Sequence, residues 1–140
     1  MRVLGLDLGS RTLGIAMSDV MGMVANGVET FSFELNHYKH AVAYVEEFVR
    51  IHGISKIVLG LPKNMDNSLG ERAEISKSFA RKVEVATEIS VVLWDERLST
   101  MEVERVLIDA NVRRENRKKY VDKMAATVIL QSYLDLNRNS

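Results

Sequence analysis

Four carboxylates are placed where acids do chemistry: Asp7, the adjacent pair Asp95 and Glu96, and Asp122. Asp7 interrupts an otherwise apolar run, Val3, Leu4, Leu6 and Leu8, which Gly9 closes. A carboxylate in a strand buried on both faces is costly unless a cation, a donor or a metal accompanies it, so Asp7 belongs at the strand's mouth. Asp95 and Glu96 end a second apolar run, Ile89 to Trp94. Side chains alternate along a strand, so only one of the two faces the site; Glu96 is favoured, with Asp95 left to pair with Arg97 or to cap the next helix. Asp122 opens an apolar-periodic stretch, where the helix dipole also favours an acid, and Ala125 and Ala126 would let that helix approach a sheet closely. Three acids gathered at one edge repel unless cations lie among them. Such a donor set suits two divalent ions about 3.5 to 4 Å apart, which activate a water and steady a leaving oxygen. The chemistry implied is phosphodiester hydrolysis.

A polyanionic substrate also needs cations along its path. Between residues 111 and 120 the chain is polar and basic, with Arg113, Arg114, Arg117, Lys118 and Lys119, and Lys123 follows. Read as a loop leading into the helix of Asp122, this segment sets positive charge beside the acids, where a phosphate backbone would pass. Lys63, Arg72 and Arg97 extend the track. His37, His40 and His52 share no ligand spacing with the acids and read as surface or helix-end residues. Trp94 and the methionines read as packing residues.

The elements that must position these groups follow from the pattern. Val3 to Asp19 reads as a hairpin turning on Gly9 to Gly14, and residues 23–33 as a third strand with Gly27 at a bulge. From Tyr38 the apolar positions Ala41, Val45, Phe48 and Val49 mark a helix with Asn36 as its N-cap and Gly53 as its stop. Ile54 to Leu61 is the next strand, broken by Pro62. Ser68 and Glu71 form a capping box before a helix with the stripe Ile75, Phe79, Val83 and Ala86, and Ser99 with Glu102 repeats the signal after the strand at Ile89 to Trp94. A last helix runs from about Val121 to Leu136. Strands separated by helices pair in parallel through right-handed crossovers, so the expected α/β fold has a five-stranded mixed sheet, three antiparallel strands and then parallel ones, flanked by helices. Ligands in such sheets gather at the carboxyl ends of the parallel strands, where the chosen acids lie.

Composition bounds the rest. The 140 residues suit one domain, 1–140, burying about two thirds of its unfolded surface. Nineteen basic and nineteen acidic residues cancel, so any pull on nucleic acid must be local. The absence of cysteine removes thiol nucleophiles, disulfide scaffolds and cysteine-held zinc, and fits a reducing cytoplasm. The first residues do not read as a signal peptide, and no apolar run nears the roughly 18 residues of a membrane span. No GxxxxGK[ST] loop is present, and the chain is too short for both halves of an actin-like ATPase or sugar kinase.

Four ordered motifs, GLDLGSRTLGIAMSD at 5–19, VLGLPKNMDNSLGERA at 58–73, WDERLST at 94–100 and VDKMAATVILQSYL at 121–134, together resemble the YqgF family of bacterial proteins. That family is linked to pre-16S ribosomal RNA processing and is Holliday-junction-resolvase-like. The resemblance implies a ribonuclease-H-like fold and a nuclease using Mg2+ or Mn2+ held by Asp7, Glu96 and Asp122, the catalytic acids. Ser10, Arg11, Lys63 and Arg72 would contact substrate, with Arg97, Arg113, Arg114 and Lys118 extending that surface. Asn67 stands where the motif suggests glycine. The expected partner is nucleic acid, a ribosomal RNA precursor or branched DNA, bound by a monomer or homodimer without a membrane. A four-way-junction resolvase is the alternative activity, and a non-catalytic nucleic-acid-binding module the alternative of another class.

Overall fold

The computed structural model describes residues 1–62, 70–95, 108–109, 111 and 113–137, with the backbone alone for 114–123. Strand β1 (Arg2–Leu8) pairs antiparallel with β2 (Thr12–Ser18), which pairs antiparallel with β3 (Ala25–Ser32). On the other side β1 pairs in parallel with β4 (Ile54–Leu61), and β4 with β5 (Val91–Asp95). The sheet order is therefore β3-β2-β1-β4-β5. This is the mixed sheet read from the sequence, with the parallel β1–β4 pair in its interior and the parallel β4–β5 pair at one edge. The β2–β3 register slips between Ile15 and Ala16, leaving Val28 as the extra residue beside Gly27.

Helix α1 (Tyr38–His52) and helix α2 (Glu71–Thr87) cover one face of the sheet. Leu4, Leu6, Leu8, Leu13, Ile57 and Leu59 meet Ala41, Val45, Phe48, Phe79 and Val83 there. Each fully buried leucine or isoleucine in that layer contributes roughly 1.5 to 3 kcal/mol relative to exposure. Helix α3 (Arg114–Asn137) covers the other face, where Val3, Ala16 and Val58 pack on Ala126, Ile129, Leu130 and Tyr133. Among the described residues no helix is long and apolar enough to cross a membrane.

Several boundaries differ from the sequence reading, each for a local reason. The third strand starts at Ala25 because the Asp19 carboxylate accepts the N–H groups of Met23, at 2.7 Å, and Val24, at 3.1 Å, holding them in a turn. Asn36 is left-handed, with φ 63°, and His37 takes the N-cap position instead. Gly53 ends α1 as expected, with φ 63° and its N–H on Val49 O at 3.0 Å. The N-cap of α2 is Gly70, so Glu71 is the first residue of the helix rather than its third, and Ser68 of the expected capping box lies outside the described residues. Glu71 and Glu74 instead place negative charge in the first turn. The stripe of α2 also includes Ala73, Ser76 and Ala80. The fifth strand is Val91–Asp95 rather than Ile89 to Trp94. The expected helix after Ser99 lies outside the described residues apart from Ile108 and Asp109, which are helical.

The largest correction concerns the basic segment. It is helical from Arg114, so α3 begins seven residues before the expected start and Asp122 lies in its third turn rather than its first. Arginine, lysine and glutamate are good helix formers, and a polar stretch can extend a helix whose docking is provided further along. The helix-dipole account of Asp122 falls with that correction.

Candidate active site

Asp7 is the penultimate residue of β1 and is half-buried. Leu4, Leu6 and Leu8 point to the α1–α2 layer, so alternation gives Val3, Gly5 and Asp7 to the face of α3. Its partner across the β1–β2 pair is Gly14. The helix above is seated on glycine. A Cβ built on Gly5 would stand 2.6 Å from Leu130 Cβ and 3.1 Å from the carbonyl of Ala126, and one on Gly27 would stand 3.1 Å from Thr127 Oγ1. At Gly14 the nearest atoms would be Ala126 Cβ at 3.5 Å and Asp7 Cβ at 3.6 Å. These glycines were not singled out in the sequence for packing, although their place under an alanine-bearing helix is the signal that finds them.

The direction of α3 follows from these neighbours. Leu130 and Ala126 lie over Gly5, and Ala126 over Gly14 beside Asp7, so the helix runs N-terminally toward the carboxyl end of β1. The backbone of Asp122 is one further turn in that direction, about 6 Å along the axis. Its side chain, with those of Arg114 and Lys118, lies outside the described set, as do Glu96, Lys63 and Arg97 altogether. Leu8, Leu61 and Asp95 end three adjacent parallel strands at one edge, and β5 is two strands from β1, roughly 10 Å away. Val92 and Trp94 share the α3 face, while Val91 and Leu93 pack in the other layer together with the alternation position of Asp95. Trp94 is a packing residue, its ring edge-on to Tyr133 at 5.4 Å and its Nε1–H donated to Ser132 Oγ at 3.1 Å. Among the described residues no three acids or histidines stand together as a metal site.

The turn after Asp7 is short and tied down. Gly9 N–H donates to Thr12 O at 2.7 Å, and a Cβ on Gly9 would meet Thr12 Oγ1 at 3.0 Å. Gly9 is therefore favoured by close approach to Thr12 rather than by a left-handed backbone. Ser10 and Arg11 are exposed, and their carbonyls accept from Asn36 N–H and Phe33 N–H, both at 2.9 Å. Arg11 lines a shallow cleft with Phe33 and Leu35. Arg113 is exposed. Arg72 is directed inward: Nη2 donates to Leu8 O and Nη1 to Tyr38 Oη, each at 3.1 Å. Beside Tyr38 an open cleft of about 590 Å³ carries His37, His40, Lys39 and Lys82, which places two of the histidines at the surface of the α1 start. His52 closes the same helix.

A family described as "RuvX: Holliday junction resolvase" matches residues 1–136. The chain belongs to that family, the YqgF family of its motifs. A "Putative pre-16S rRNA nuclease" of Bacillus pumilus (strain SAFR-032) is 53% identical over 135 residues, covering 96% of this chain and 98% of that protein. The protein of the same description from Bacillus subtilis (strain 168) is 50% identical over the same shares. Among solved structures, Thermus thermophilus RuvC in complex with a Holliday junction substrate has a TM-score of 0.59 at 14% identity, covering 98% of this chain and 96% of the other. The fowlpox virus Holliday junction resolvase has a TM-score of 0.58 at 14% identity, covering 97% and 99%. Those two likenesses establish the ribonuclease-H-like fold of this RuvX-family chain. Membership makes it a nuclease-type hydrolase of ester bonds.

Proposed function

We propose that this protein is a divalent-metal-dependent nuclease of pre-16S ribosomal RNA processing, acting in the cytoplasm. The observation that carries the reading is Asp7, at the carboxyl end of a central parallel strand, under a helix brought close by Gly5. Alternation along β5 supports Glu96 over Asp95 as the second acid, since the even-numbered positions Val92 and Trp94 share the face of Asp7. The course of α3 supports Asp122 as the third, one turn beyond Ala126. Carboxylate oxygens are the hard donors that Mg2+ or Mn2+ prefers, so the donor set fits such ions, with Asp7, Glu96 and Asp122 holding them. A bound ion of this type supplies Lewis-acid polarisation of a phosphoryl oxygen and a more acidic water.

The chain's own residues supply position. Ser10 and Arg11, exposed on a turn whose carbonyls are held from behind, offer a hydroxyl and a guanidinium to a phosphate backbone. Arg113, Arg114 and Lys118 at the start of α3 extend the positive surface, with Lys63 and Arg97 in the segments that follow β4 and β5. The ribosomal substrate rests on the names of relatives about 50% identical over nearly the whole chain. The family description favours a second reading, resolution of four-way DNA junctions, for which a two-fold dimer cutting symmetrically is expected.

The deciding assay offers wild-type protein an unprocessed 16S precursor and a four-way DNA junction, each with Mg2+, Mn2+ or chelator. Metal-dependent cutting of the precursor in preference to the junction is expected. Symmetrical cutting of the junction alone would favour the resolvase, and binding without cutting of either would favour a non-catalytic module.

A further inference from the structure

Arg72 was a candidate substrate contact, yet two of its guanidinium nitrogens are engaged inside the protein. The bonds form a chain joining three elements. From α2, Arg72 Nη2 donates to the carbonyl of Leu8, the residue after Asp7, and Nη1 donates to the hydroxyl of Tyr38 at the start of α1. Tyr38 Oη donates onward to Asn36 Oδ1 at 3.1 Å. Asn36, held left-handed, gives its own N–H to the carbonyl of Ser10. Leu8 and Ser10 are thus held from opposite ends of one network, with Gly9 between them.

The donor pattern explains why the middle member is tyrosine. A guanidinium only donates and Asn36 Oδ1 only accepts, so the group between them must do both. A hydroxyl does; a phenylalanine ring leaves Arg72 and Asn36 each without that partner. The position matters because β1–β2 pairing ends at Leu8 and Leu13. Beyond it the turn keeps the Gly9–Thr12 bond and the ties from Phe33, Asn36 and Arg72.

We propose that Tyr38 is a positioning residue for Asp7, acting through Arg72 on the carbonyl of Leu8, an inference whose catalytic consequence rests on the nuclease reading above. Arg72 is then a clamp on the end of β1, and the start of α2 that bears it is coupled to the turn bearing Ser10 and Arg11.

Tyr38→Phe removes the hydroxyl and keeps the ring that packs edge-on against Phe33 at 5.8 Å. Arg72→Lys keeps the charge and loses the fork. Amide hydrogen exchange of the unliganded variants at Asn36 and Phe33 is expected to rise about five- to tenfold, the loss of one ordinary hydrogen bond, with Leu59 in the core unchanged. On the substrate that wild type cuts, kcat is expected to fall about tenfold, the effect of a small misplacement, with KM within about twofold. Unchanged exchange in both variants overturns the clamp. Faster exchange with unchanged kcat overturns the positioning role, and a raised KM at unchanged kcat returns Arg72 to the substrate. If wild type cuts neither substrate, the nuclease reading has failed, and exchange alone still supports or overturns the clamp.

Discussion

Asp7 and Gly14 are register partners across the β1–β2 pair, and a Cβ built on Gly14 would stand 3.6 Å from that of Asp7 and 3.5 Å from that of Ala126. Those are ordinary contact distances, whereas at Gly5 the same atom would stand 2.6 Å from Leu130 Cβ. The two glycines therefore have different consequences. Gly5→Ala forces α3 away from the sheet and is expected to cost about 1 to 3 kcal/mol, read from the urea midpoint. Gly14→Ala is expected to stay within about 1 kcal/mol of wild type, since a methyl in ordinary contact demands little movement. Trp94, the one tryptophan, packs on Tyr133 of α3, so its emission should shift with Gly5→Ala and not with Gly14→Ala.

The sheet was legible because its signals are local. An eight-residue segment with β-branched content, apolar toward its end and followed by a proline, defines β4 at Ile54–Leu61, and glycine after the last apolar turn defines the stop of α1. Asp7 was legible as an oddity, an acid in an apolar strand. The start of α3 was not, because a polar helix without an apolar stripe has no period to detect. Nor was the inward role of Arg72. Its partners are a backbone carbonyl and a hydroxyl 34 residues away in sequence, and neither leaves a trace in local pattern.

Two helices end on left-handed residues of opposite type. Gly53, with φ 63°, suits that backbone, while Glu88, with φ 60°, is exposed and bears a side chain. Gly53→Ala is expected to lower stability by about 1 kcal/mol, and Glu88→Gly to raise it by a few tenths to about 1 kcal/mol after the added unfolded-state freedom is subtracted. Thermal denaturation of both variants checks the pair; a loss in each would contradict this reading of the α2 end.

Asp19 gives a pH signature. The N–H groups of Met23 and Val24 hold its carboxyl below the usual aspartate value of 3.8. A folded-state value lower than the unfolded one stabilises above the unfolded value and loses that contribution as pH falls through the folded one. Asp19→Asn is therefore expected to be less stable than wild type at neutral pH. The difference should close as the buffer is taken below pH 3.8, and a difference independent of pH would contradict the charge-assisted turn.

Asp7 is the proposed anchor of hydrolysis rather than of the fold. Cleavage of a 16S precursor in Mg2+ by wild type and Asp7→Asn, with their unfolding midpoints compared in parallel, tests it most directly. Loss of cutting by a factor of about 1,000 or more is expected, the scale of removing a principal electrostatic group, with the midpoint retained. Equal cutting by both proteins would contradict it.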